Sequence, residues 1–94
     1  MNQLEVLRES LGQCDEIILD ALLMRNRIVE DIMAYKEAND IPILQPEQEA
    51  KQKEWLERRM ADRRHKAEVE DVFGSITQNS KRIQARKLFN YNIV

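Results

Sequence analysis

Residues 4–38 read LEVLRESLGQCDEIILDALLMRNRIVEDIMAYKEA, a stretch with no proline and a single glycine, Gly12. Apolar or small residues fall at Leu4, Leu7, Leu11, Cys14, Ile18, Leu22, Val29 and Ile32. The steps between them are three, four or sums of these, the repeat of one helix face. A helix of that length runs about 52 Å at 1.5 Å per residue. A compact globule of this chain length has a radius of gyration of only about 12 Å. The helix therefore overshoots a compact monomer, and its apolar stripe continues along most of its length. A second copy packed against it would cover the overhang. The pattern predicts an intertwined homodimeric helical bundle. The alternative is two shorter helices kinked at Gly12.

Outward from this segment, Asn39-Asp40 supplies a helix stop. Residues 39–45 contain Pro42 and form the clearest loop. Pro46 suits the first position of a second helix, with Glu47 and Glu49 in its favourable first turn. That helix is expected to run to about Arg64, with Ala50, Trp55, Leu56 and Met60 as its weaker apolar side. A break follows near His65-Lys66, marked by neither Pro nor Gly. A third helix is expected from about Ala67 to Leu88, with Val69, Val72, Phe73, Ile76 and Ile83 as its stripe. Asn90 to Val94 are expected to fray. The fold class is all-α, three helices per chain, in a single domain over residues 1–94. With 2 Gly and 2 Pro in 94 residues, little in the chain opposes helix.

The formal net charge of -2 argues against a nucleic-acid or anionic-membrane binder. Arg58, Arg59, Arg63, Arg64, His65 and Lys66 do cluster. Cations gathered near a helix C-terminus explain the cluster more simply than RNA binding. Cys14 is the only cysteine and His65 the only histidine, so neither an intrachain disulfide nor a Cys/His metal cluster is expected. No segment reads as a signal peptide or a membrane span, which makes a cytoplasmic protein the expectation.

Three cations fall where apolar residues belong. Arg25 lies between Leu22 and Val29, Lys36 four residues beyond Ile32, and Arg8 beside Leu7. Buried cations are costly unless an anion answers them. No Asp or Glu within the stripe stands out as a partner, so an anionic ligand is one answer. Arg25 and Lys36 are about three turns apart and point the same way. Arg8 precedes Arg25 by about 25 Å of helix axis and is rotated by about 100°. It does not reach the same ligand within one chain. In an antiparallel dimer it approaches Arg25 of the other copy, giving two equivalent sites. Solvated or interchain-paired charges are the competing reading, and periodicity alone leaves both standing. Helix 3 repeats the anomaly with Ser80 and Gln84, polar groups that extend the Ile76 stripe and need partners once buried.

The ordered set resembles the all-helical chorismate mutase family over nearly the whole chain, Leu4 to about Gln84. The resemblance rests on Leu7-Arg8, Cys14-Asp15, Leu22-Leu23, Arg25 and Ala34-Tyr35-Lys36. It continues through Ile41-Pro42-Ile43, Pro46-Glu47-Gln48-Glu49-Ala50, Ser80 and Gln84. It implies an enzyme of aromatic amino-acid biosynthesis that rearranges chorismate to prephenate with no cofactor and no metal. It implies that Arg8 of the partner subunit and Arg25 bind the substrate carboxylates. Lys36 and Gln84 would contact the ether oxygen, Glu49 would accept from the ring hydroxyl, and Ser80 would line the carboxylate end. Two positions depart from the family pattern. Gln48 stands where the family usually has Arg, and Gln45 where it often has Asp. Lys51 and Lys53 are the nearest cations in sequence to the charge missing at Gln48. A lyase that eliminates pyruvate from isochorismate shares this fold and these cations. A non-catalytic helical dimer or metabolite-binding regulatory module is the reading outside enzymology.

Overall fold

The computed structural model describes residues 2–93, with side chains described as far as Arg86. Three helices follow in order: α1 over Gln3–Ala38, α2 over Pro46–Met60 and α3 over Lys66–Ile93. No strand occurs among the described residues. Helix α1 is one continuous helix that passes through Gly12 without interruption, so the alternative of two shorter helices does not hold. Its first turn is capped by the Asn2 side chain, which accepts from the Glu5 amide at 2.8 Å. It ends where Asn39-Asp40 was expected to end it. Asp40 takes a left-handed φ of 53°, and the Ile41 amide reaches back to the Lys36 carbonyl at 2.9 Å. Asp tolerates this conformation better than most residues, and the backward bond satisfies a terminal carbonyl of the helix.

Helix α2 starts at Pro46 as expected but stops at Met60, short of Arg64. Ala61 leaves the helical region at ψ 127°, and Asp62 and His65 sit at φ 59° and 60°. Asp and His are among the side chains that enter left-handed φ most readily, so the corner forms without glycine. Helix α3 starts one residue earlier than expected and runs past Leu88 to Ile93. The helix thus includes Asn90 to Ile93, part of the segment where fraying was expected. Residues 88–93 contain neither Gly nor Pro to stop the helix, and Val94 lies outside the described residues.

Helix α3 packs along the second half of α1. The interior there is small: Val29 and Met33 are its buried apolar residues, joined by Lys36, Ser80 and Gln84. Helix α2 leans on α3 through an edge-to-face contact of Trp55 with Phe73, ring centroids 5.9 Å apart. Thr77 donates to Gln52 across the same seam at 2.9 Å. The basic cluster at the corner is partly answered within the chain. Arg58 pairs with Glu54 at 3.3 Å and Lys66 with Glu57 at 2.6 Å. The hydrogen bond that Lys66 donates to the Glu57 carboxylate holds its ammonium above the ordinary lysine value.

The first half of α1 projects beyond this bundle. Leu4, Leu7, Leu11 and Ile18 of the expected stripe are exposed, as are Ile17 and Leu19. Val72, expected on the α3 stripe, is exposed too. The molecule measures 55 × 32 × 15 Å, with a radius of gyration of 17.3 Å. That is well above the roughly 12 Å of a compact chain this long.

Gln45 is the N-cap of α2 and makes no capping bond with its side chain. A shorter carboxylate there would accept an orphan amide of the first turn and meet the positive end of the helix dipole. Gln45→Asp is expected to stabilise the fold by about 1 kcal/mol. The midpoint of urea unfolding at fixed protein concentration measures this, and an unchanged or lower midpoint would show that Gln45 is held for another reason.

Candidate active site

Lys36 is buried in the last turn of α1. Its Nζ donates to the Ile43 carbonyl at 2.9 Å and to Gln84 Oε1 at 3.0 Å. An ammonium carries three N–H donors, so these two bonds leave one. Gln84 in turn donates from Nε2 to the Ser80 carbonyl through a long bond of 3.4 Å. Three turns earlier on α1, half-buried Arg25 donates to the Ser80 hydroxyl, which itself donates to the Ile76 carbonyl at 3.0 Å. Both cations of the α1 stripe are thus held by neutral oxygens. The site has desolvated positive charge and set it against dipoles, which leaves it short of an anion.

These groups line one cavity of about 460 Å³, a size suited to a small-molecule ligand. Arg25 and Lys36 come from α1, and Ser80 and Gln84 from α3. Gln45, Gln48 and Glu49 reach it from the start of α2. Arg8 does not belong to it: it is exposed on the projecting half of α1. Neither Lys51 nor Lys53 lines it; Lys53 lines an adjoining groove between α2 and α3 that shares Glu49, Gln52, Thr77 and Lys81 with the cavity.

Sequence reasoning did not single out Gln52, Thr77 and Lys81, which also line the cavity. A signal was present. Gln45, Gln48, Glu49 and Gln52 recur at three- and four-residue steps along α2, and Thr77, Ser80, Lys81 and Gln84 do so along α3. Each set is one helix face. Such polar faces resemble solvated ones until a second helix is seen opposite. Lys81 Nζ closes this wall, 2.6 Å from Glu49 Oε1.

Chemically, the cavity can hold a small anion between an Arg at one end and a Lys–Gln pair at the other. Among the described residues, no three His, Cys, Asp or Glu side chains gather as a metal site would require. No helix among them is long and apolar enough to cross a membrane. Fold and cavity define an all-helical protein with a cavity lined by more cations than carboxylates. The family profile described as chorismate mutase type II matches residues 7–85, and the chain belongs to that family. Comparison with curated proteins and with solved structures gives no match.

Removing the charge of Lys36 separates binding from folding. Lys36→Met fills a similar volume and ends the cost of a buried ammonium, at the expense of two orphaned acceptors. The opposing effects are expected to leave unfolding stability within about 1 kcal/mol of wild type, with affinity for dicarboxylates abolished. Thermal unfolding and calorimetric titration on the same sample measure both. Retained affinity would remove Lys36 from the site.

Proposed function

We propose that this protein is a chorismate mutase, converting chorismate to prephenate in aromatic amino-acid biosynthesis. The observation that carries the reading is the buried Lys36–Gln84 pair, 3.0 Å apart, in a cavity that also holds Arg25. The reaction is an intramolecular [3,3] rearrangement: a C–O bond breaks as a C–C bond forms. It calls for no nucleophile or redox partner. The protein has to hold a flexible dianion in a compact, chair-like conformation and to stabilise negative charge growing on the ether oxygen.

Arg25 supports the first task by gripping one carboxylate beside Ser80. Lys36 and Gln84 support the second. The remaining N–H of Lys36 and the remaining amide N–H of Gln84 can converge on one oxygen, provided Lys36 is in its ammonium form. Their bonds to Ile43 and Ser80 set both donors before substrate arrives, so little reorganisation accompanies the reaction. Glu49 would accept from the ring hydroxyl.

The second carboxylate requires another cation. In this reading a second copy of the chain packs on the exposed half of α1 and brings Arg8 to the Arg25 end. The dimer is then part of each site. The exposed residues Leu4, Leu7, Leu11 and Ile18 supply the apolar surface for that packing.

The direct test is the loss of chorismate absorbance with purified protein, together with identification of the product. Prephenate formed well above the uncatalysed rate supports the reading. Pyruvate released from isochorismate without prephenate from chorismate would mean the related lyase. Turnover of neither would leave a binding module.

Shared sites are tested by complementation. Arg8→Ala and Arg25→Ala homodimers should each be nearly inactive. When the two are unfolded and refolded together, half of the chains should enter mixed dimers, each carrying one intact site, and activity should return. Mixtures as inactive as their components would show that Arg8 does not act across the subunit interface.

A further inference from the structure

We propose that Lys81 is a substrate-binding residue of this cavity, supplying from α3 the positive charge that Gln48 does not supply from α2. The proposal rests on the mutase reading and adds a residue to it. Lys81, Gln48 and Glu49 line the same cavity, so the lysine lies on the wall where the charge is missing. Its position on α3 follows Ser80 by one residue and precedes Gln84 by three, which gives it a place on the site-facing side. The Nζ atom is anchored 2.6 Å from Glu49 Oε1, and one bond of three leaves two donors for a ligand.

Charge matching points the same way. The described lining holds three cations, Arg25, Lys36 and Lys81, against one carboxylate, Glu49. The formal balance of +2 matches a dicarboxylate. Without Lys81 it falls to +1, and a dianion would sit in an under-compensated site. Neither Lys51 nor Lys53 makes up the difference, because neither lines the cavity.

A purely structural role for the Lys81–Glu49 pair is a weaker account. The two side chains are 35% and 40% exposed, and ion pairs at that exposure hold helices together only slightly. The α2–α3 seam already has the Trp55–Phe73 contact and the Thr77–Gln52 hydrogen bond. The pair's clearer effect is to fix the ammonium at the cavity wall, beside the carboxylate that would receive the ring hydroxyl.

The experiment uses the full chain with chorismate, measuring steady-state kinetics and, separately, affinity by titration calorimetry. Lys81→Gln should raise KM and weaken affinity about ten-fold, as expected for losing a partly exposed charged hydrogen bond. The effect on kcat should be smaller than the effect on KM. Lys81→Arg, which keeps the charge, should stay within about three-fold of wild type. Gln48→Arg should give little gain alone and should recover most of the loss in the Lys81→Gln background. A purely structural role would not produce that recovery.

Equal KM and equal affinity in wild type and Lys81→Gln overturn the Lys81 proposal while leaving the mutase reading intact. So does a loss that Gln48→Arg fails to recover. A wild type that neither binds nor turns over chorismate overturns both.

Discussion

An ammonium taken out of water and set against neutral oxygens is the constraint around which this structure is organised. Lys36 joins three parts of the chain at one atom: its own helix α1, the loop at Ile43 and helix α3 at Gln84. The loop bond meets the chain as it turns toward Pro46, where α2 begins. The Gln84 bond fixes the amide on the facing helix. A carboxylate would satisfy the ammonium better than either acceptor, and in the proposed reading that answering negative charge comes from the substrate. The same group therefore braces the fold and keeps it incomplete.

The three helices divide the work by periodicity. Helix α1 presents Arg25, Val29, Ile32 and Lys36, apolar in the middle and cationic at both ends. Helices α2 and α3 present faces that are almost wholly polar. The site is thus a place where two hydrophilic faces and one mixed face meet. This accounts for the small apolar interior at Val29 and Met33, since the space a larger core would use is given to the cavity.

The elements differ in how plainly the sequence announces them. Helix α1 is legible because apolar residues recur at three- and four-residue steps through a long run without Pro, and Pro46 marks the start of α2 because proline suits the first turn of a helix. The end of α2 is obscure because its left-handed turns are made by Asp62 and His65, ordinary surface residues with an uncommon tolerance, where glycine would have been noticed. Arg25 and Lys36 stand out as cations in an apolar stripe. Lys81, Gln52 and Thr77 do not, because a polar residue on a polar face carries no contradiction. Only the position of the neighbouring helix turns such a face into a wall. The expectation of a dimer rests on a different kind of signal, a length and an apolar stripe that a single chain does not cover. Arg8 lies beyond the cavity of one chain for that same geometric reason.

The projecting half of α1 bears on how the molecule would depend on its own abundance. If its apolar residues are covered by a second copy, the free energy of the folded state contains a logarithm of protein concentration. Dilution then acts as a mild denaturant. In that case it would also withdraw the guanidinium at position 8 from the sites, so total activity would fall faster than in proportion to the amount of protein. Expression level would set how much of the protein each cell has and also how well each copy works.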